Sequence, residues 1–353
     1  MTESAWRPLT AMPRVCGEPL GRATMRQQAE DFQVDEVLGF APDGAGEHLL
    51  LQIRKRDTNT NWLAGQLARY AGIPSRDVSY AGLKDRHAVT TQWFSLCLAG
   101  KPEPDWSGFN DELIEVLAVD RHQRKLRRGN LQGNRFNILL RDLEADRELL
   151  QERLLRLKQE GMPNYFGEQR FGHDYQNLSR FDELLGDGKR RRIDRHLRGL
   201  LISAVRSQLF NEVVAARIER QCWNTPLLGD HFLLDGSRSE VADELQEAQL
   251  AERCQRLDIH PSGPMWGRGR LPVAQEAAAL EQSVLAPFDA WRDRLEHLGL
   301  SQERRSLRLR LDDLAWSFEA DGSALRLGFF LPAGAFATVL LRELLDVSSP
   351  RPT

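Results

Sequence analysis

An α+β fold is predicted for this chain of 353 residues, and three observations predict it. Apolar and polar side chains alternate with the two-residue period of strands through the first part of the chain, residues 1–159. Apolar residues recur at helical spacing through most of residues 160–305, and alternation returns over 306–353. A chain this long exceeds the usual single core. Strands, then helices, then strands predict one sheet domain, 1–159 with 306–353, interrupted by an inserted, largely helical α/β domain at 160–305 whose ends lie close together.

The elements follow in order. "DFQVDEVLGF" around Phe32 and "HLLLQIRKR" from His48 alternate, and "PDGAGE" between them supplies turn residues, so the pair reads as a hairpin. "NTNWLAGQLARY" begins with a capping Asn59 or Thr60 and sets Trp62, Leu63 and Leu67 on one helical face. Strands are expected in "VTTQWFSLCL" and "RFNILLRDL", then a helix in "ADRELLQERLLRLKQEG", with Leu150, Leu154 and Leu157 a turn apart and Gly161 as its stop. "RGLLISAVRSQLFNEVVAARI" and "SEVADELQEAQLAERCQRL" are the clearest amphipathic helices of the middle region, and "HPSGPMWGRGRLP" reads as a Gly- and Pro-rich connection. "SLRLRLDDLAWSFEADGSALRLGFFLP" predicts strands with a hairpin at its Asp-Gly, and "FATVLLRELLD" a closing helix.

Composition excludes several classes. A hydrophobic content of 41% with 28% charged residues marks a folded chain. Cys16, Cys97, Cys222 and Cys254 form no CxxC pair, so neither a zinc site nor a disulfide framework is expected, and a reducing cytoplasm fits. The first residues lack the cationic head and apolar core of a secretory signal, and no apolar run approaches the ~20 residues of a membrane span. GxxxxGK[ST], GxGxxG, HExxH and GxSxG are all missing, which removes the usual signatures of nucleotide cofactors, catalytic zinc and a serine elbow and leaves catalysis to ordinary side chains.

The net charge of −3 conceals an uneven distribution. "RHQRKLRRGNLQGNRF" carries Arg121, Arg124, Lys125, Arg127, Arg128 and Arg135 with no acid among them, and "GKRRRIDRHLRG" gathers Lys189, Arg190, Arg191, Arg192, Arg195 and Arg198 against Asp194 alone. Each run by itself also reads as solvated surface. Two runs, rich in arginine, point to a polyanion whose phosphates they neutralise.

In "AGLKDRHAVTTQ", Asp85 lies in a glycine-started loop at the mouth of a strand with cations on both sides, where an ionised carboxylate can serve as nucleophile or base. The competing reading is a turn residue paired with Arg86. His87 reads as a hydrogen-bonding loop residue. Phe32, Phe136, Tyr165, Phe166 and Phe336 each lie beside Gly, Asn or charge, and they read either as core or as platforms for bases splayed from RNA. Asn134 reads as a base-edge contact or a turn residue. Three functions compete: an RNA-modifying enzyme that extracts one base and works on it with Asp85, a silent RNA-binding protein, and a metal-dependent RNA hydrolase using Asp85 and His87.

"EDFQVDE", "AGLKDRHAVTTQ", "RKLRRGNLQGNRF", "PNYFGEQRFG" and "LPAGAFATVLLRE" together resemble the TruD family of tRNA pseudouridine synthases, in order and spacing, from near Arg26 to Glu343. The resemblance implies a pseudouridine synthase fold, built on a mixed, mainly antiparallel sheet with helices and interrupted by a TRUD domain. It implies isomerisation of uridine at position 13 in the D arm of tRNA, without cofactor or metal, in the cytoplasm and with no obligate protein partner. The aspartate of the family's "GLKD" motif falls on Asp85 as the catalytic residue. Phe32 and Phe336 then line the uridine pocket, Asn134 contacts the substrate, and Phe136 packs beneath the target base. Arg26 stands where many members have Lys, and its pairing with the carboxylate is expected by the same transfer. Lys84 with Arg86 is expected to draw RNA toward the loop and keep Asp85 charged. Backbone contacts are expected from Arg124, Lys125, Arg127 and Arg128, and from Arg190 and Arg191.

Overall fold

The computed structural model describes residues 5–98, 100–187, 192–241 and 246–350. The chain divides into two compact units. One comprises Leu20–Glu148, Asp312–Gly334 and Leu345–Thr353, and the other Met1–Pro19, Leu149–Leu311 and Ala335–Leu344. The first begins with β1 (Gly21–Met25), β2 (Phe32–Val37), β3 (His48–Arg56), α1 (Thr60–Tyr70), β4 (Val78–Tyr80), β5 (Val89–Cys97), β6 (Ile114–His122) and β7 (Gly133–Ala145). The chain then passes through α2 (Arg147–Glu160) into the second unit, with β8 (Met162–Pro163), α3 (Gln176–Phe181), α4 (Arg195–Glu219), β9 (Phe232–Leu234), α5 (Glu247–Gln255), β10 (Ile259–Met265), α6 (Gln275–Leu285), α7 (Asp289–His297), β11 (Glu303–Ser306) and β12 (Arg308–Leu309). It returns for β13 (Ala315–Phe318) and β14 (Leu325–Pro332), gives α8 (Ala337–Leu344) to the second unit, and ends with β15 (Asp346–Ser348).

The α+β expectation holds. In the first unit the main path of the sheet runs β13-β14-β7-β2-β5-β3-β6, with β1 pairing β7 and β15, and β4 pairing β5. Among the described residues only β1–β15 and β2–β5 are parallel; the other pairings of this sheet are antiparallel. The Asp321-Gly322 hairpin forms between β13 and β14, with Gly322 at φ 76°.

The expected hairpin between the Phe32 and His48 strands does not form. β2 pairs with β5 and β7, and β3 with β5 and β6, so β5 separates them. The burial of β5 accounts for its place. Thr90, Thr91, Gln92, Phe94, Ser95 and Leu96 are all buried, so β5 is covered on both faces and belongs at the centre of the sheet.

α1 packs on this sheet. Asn59 caps it, its side chain accepting from the backbone N–H groups of Asn61 and Trp62. Leu63 and Leu67 are fully buried against Leu49, Leu51, Ile53, Phe94 and Leu96, each buried leucine contributing about 1.5–3 kcal/mol. Trp62 instead stays half exposed. In the second unit Leu150, Leu154 and Leu157 of α2 are buried and Gly161 stops the helix at φ 81°. "HPSG" there is strand, not connection. β10 pairs with β9 through Pro261 and with β11 from Ser262 onward, so its prolines lie in a strand that changes partner rather than in one continuous ladder.

β7 organises the first sheet. It meets β14 on one side over Gly133–Leu140, β2 on the other over Gly133–Ile138, and β1 further along. Gly133 is needed for this closeness, because a Cβ there would lie 2.2 Å from the Leu331 carbonyl oxygen and 2.4 Å from the Phe330 ring. Gly133→Ala is therefore expected to cost about 1–3 kcal/mol by forced separation of β7 and β14. Gly328→Ala on the same ribbon, where a Cβ meets nothing within 4 Å, is expected to change stability by less than about 0.5 kcal/mol. Urea midpoints of the two variants measure the contrast.

Candidate active site

The loop that joins β4 to β5 is tied down from several directions. Ala81 O accepts from Gly129 N (2.8 Å), and Gly82 O accepts from Gln92 Nε2 (3.3 Å). Lys84 N donates to Thr60 Oγ1 (3.1 Å), a hydroxyl that in turn donates to Gln92 Oε1 (2.9 Å). Under the loop lies Lys55, wholly buried, whose ammonium donates to Thr58 O (2.6 Å) and to the main-chain carbonyl of Asp85 (3.0 Å). Every one of these groups lies in the first unit. Such anchoring leaves the Asp85 side chain, one third exposed, to be set by its own contacts.

Arg26 pairs with it, its Nη2 2.5 Å from Asp85 Oδ2. A guanidinium–carboxylate bond is charge-assisted and orients the carboxylate. Arg26 reaches it from a backbone at φ 60°, an unusual conformation for a residue with a side chain. Its guanidinium carbon stands 3.9 Å over the Phe32 ring, and its Nε is buried without a partner among the described residues. The pairing expected for a lysine-type position is thus made here by an arginine that also stacks.

Strand register supplies the floor. Phe32, Val34 and Glu36 of β2 pair with Ile138, Phe136 and Asn134 of β7, so these alternate residues share one face. Phe136 stacks on Phe329 of β14 at 5.2 Å between centroids and meets Phe32 edge-on at 6.1 Å. Asn134 Oδ1 is buried and has no hydrogen-bond partner among the described residues. An orphaned buried acceptor beside aromatic rings is costly unless a ligand donor completes it.

Lys84 differs from its expected part. Its side chain is 7% exposed and its ammonium lies 2.7 Å from Glu36 Oε2, while Glu36 Oε1 accepts from Trp93 N (3.2 Å). The cation therefore braces the loop against β2 and β5 and is not presented to a phosphate. Burial of Glu36 selects this partner, since an unmatched buried carboxylate is expensive. Arg86 remains exposed, and His87 faces Asp57 at 3.7 Å on the surface.

Arg124, Lys125, Arg127 and Arg128 are exposed around a buried Leu126. Lys125 donates to Arg76 O (3.0 Å). The run is coupled to the loop through Gly129 N and Ala81 O, a link the sequence could not show. Arg190 and Arg191 lie outside the described residues. Phe336 belongs to the second unit, where it packs edge-on to Phe166 (6.1 Å) and so close to Gly167 that a Cβ there would lie 2.9 Å from its ring. Two surface hollows, one lined by Arg22, Thr24, Asp142 and Asp346 and one by Arg220, Cys222 and Glu276, include none of these side chains. Among the described residues no three His, Cys, Asp or Glu side chains gather to hold a metal, and no helix is long and apolar enough to cross a membrane.

Lys55, Glu36, Thr60 and Gln92 were not legible as site residues. Only the polar character of "RKRDTNT" hinted at the first, and a lysine in an alternating strand ordinarily faces water. Burial pushes the Lys55 ammonium down to about 8, against the opposing pull of Asp85. The folded chain then sheds this proton near pH 8 and the unfolded chain near 10.5. The unfolded state binds more protons between those values, and stability from this group rises with pH across the window. Relative to Lys55→Met, wild type is expected to gain up to about 3 kcal/mol between pH 8 and 10.5 in urea unfolding. A pH-independent difference would contradict the buried ammonium.

Comparison with known proteins agrees with the motif order. The family model for tRNA pseudouridine synthase D (TruD) matches residues 16–183 and 187–344. A tRNA pseudouridine synthase D of Nitrosococcus oceani is 51% identical over 328 residues, covering 93% of this chain and 91% of the relative. That of Methylococcus capsulatus is 49% identical over 335 residues, covering 95% and 94%. A crystal structure of a Methanosarcina mazei chain described as TruD superposes with a TM-score of 0.70 at 21% identity, covering 95% of this chain and 94% of that one, and so shares its fold. With a family model spanning nearly the whole chain and relatives at about half identity over nine tenths of it, the chain belongs to the tRNA pseudouridine synthase D (TruD) family.

Proposed function

We propose that this protein isomerises uridine to pseudouridine at position 13 in the D arm of tRNA, in the cytoplasm, with Asp85 as the catalytic residue. The observation that carries the reading is the juxtaposition around Asp85: a carboxylate on a multiply anchored loop, held by Arg26, which itself stacks on Phe32 beside Phe136 and the unsatisfied Asn134. The relatives' names supply the substrate class. In this reading residues 1–159 with 306–353 are the catalytic domain and residues 160–305 are the inserted domain.

The reaction breaks the C1′–N1 bond and forms C1′–C5, with the C5 proton leaving and N1 gaining one, so no atom is added or lost. Asp85 serves it by attack on C1′, as in retaining glycosidases, or by taking the 2′ proton. In either route the detached uracil must turn while bound. The Phe136 face supports the ring as it turns, and aromatic packing keeps water from the reactive sugar. Asn134 Oδ1 accepts the uracil N3–H and tracks the ring's orientation. Arg26 fixes one carboxylate oxygen so that the attacking geometry is set before substrate arrives.

Asp85→Asn is expected to lower pseudouridine formation at least ~10³-fold while tRNA binding changes little. The assay is incubation of unmodified tRNA in EDTA followed by carbodiimide-dependent primer-extension stops. A D-arm stop from the variant, or from wild type only when metal is restored, would overturn the assignment. Asn134→Ala is expected to reduce kcat/KM about 10-fold with an unchanged or raised thermal midpoint, because its buried Oδ1 has no partner to lose among the described residues.

A further inference from the structure

Several buried or half-buried arginines of the second unit are matched by acids. Arg217 is paired with Asp230, Arg304 with Glu281 (2.7 Å) and Arg7 with Glu212 (2.9 Å). Arg170, in the "NYFGEQRFG" segment, is different. Among the described residues it makes no ion pair. Its Nη1 donates to the Ser203 hydroxyl at 3.2 Å, and its Nε is buried without a hydrogen-bond partner. The guanidinium lies 5.3 Å from the Phe166 centroid and 5.7 Å from that of Phe336. Burial lowers its pKa. The Arg305 guanidinium stands 4.2 Å over the same Phe166 ring, and its pKa is lowered first by burial and then by the like charge of Arg170.

Two guanidinium groups on one aromatic ring, with no ion pair to Arg170 among the described residues, form a desolvated positive site whose cost an incoming anion would relieve. A guanidinium fork suits phosphate, which it can bind through two parallel N–H bonds. Phe336 beside it is only half buried. A nucleotide carries both a π-face and a phosphodiester and can use ring and guanidinium together.

We propose that Arg170 is an RNA-phosphate anchor on the second unit, taking a phosphodiester of the tRNA strand while Ser203 and the Phe166 and Phe336 rings hold its guanidinium in place. The inference rests on tRNA being the substrate, and its test is chosen to separate the two. Wild type, Arg170→Gln and Arg170→Lys are titrated with unmodified tRNA transcript over a series of KCl concentrations, with pseudouridine formation and thermal midpoints measured in parallel. Arg170→Gln is expected to bind about 10-fold more weakly, to lose about 0.7–0.9 from the log–log salt slope as one phosphate contact disappears, and to keep or raise its thermal midpoint. Arg170→Lys is expected to keep the slope and recover only part of the affinity, since it retains charge without the fork. If Arg170→Gln does not fold, wild-type affinity in Arg170→Lys overturns the anchor. A wild-type slope in Arg170→Gln, with pseudouridine formed normally by wild type, overturns the anchor alone. No pseudouridine from wild type in any tRNA, with the slope reduced in Arg170→Gln, overturns the isomerase reading and supports the anchor. Absence of tRNA binding by wild type overturns both.

Discussion

The buried pair of Lys84 and Glu36 is the interaction on which the arrangement around Asp85 depends. Glu36 is almost fully enclosed on β2, and its two oxygens are divided between the Lys84 ammonium and the Trp93 amide of β5. One carboxylate therefore ties the Asp85 loop to two neighbouring strands. Breaking such a pair by removing one partner leaves an uncompensated buried charge, which costs about 3–5 kcal/mol. The pair also explains how a polar loop of small residues can hold a carboxylate in one place: its charge is spent inward, and Asp85 next to it is turned toward Arg26.

A second buried cation completes the support. Lys55 satisfies the main-chain carbonyl of Asp85 from below, so the residue is held through its backbone by one lysine and through its side chain by an arginine. Thr60, at the start of α1, bonds the Lys84 amide and so links the packing of that helix on the sheet to the loop's position. A rigid scaffold of this kind lets a chemical group act without first paying for its own ordering.

The two units carry different parts of the proposed recognition. Asp85, Arg26, Phe32, Asn134 and Phe136 share the sheet unit, whereas Phe336, Phe166 and Arg170 share the other. In the second unit Phe336 rests against the bare backbone of Gly167, and Arg170 bridges the rings. The "NYFGEQRFG" segment is thus packed through its glycine and arginine as much as through its aromatics.

Local chemistry in the sequence determined what could be satisfied within a few residues. The Asn59 cap, the Leu150, Leu154 and Leu157 stripe ending at Gly161, and the Asp321-Gly322 turn all depend on near neighbours, and they form as expected. The order of the five motifs was enough to indicate the family. Tertiary structure alone decided what depends on residues far apart in the chain. It inserted β5 between β2 and β3, and a strand covered on both faces belongs at the sheet's centre. It gave Lys84 to Glu36, 48 positions away, and Lys55 to the Asp85 carbonyl, 30 positions away. It also left Arg170 without an acid while other arginines of its unit found one. Charge in a sequence has no partner until the fold brings one within a few ångströms, and desolvation then decides which pairs must form.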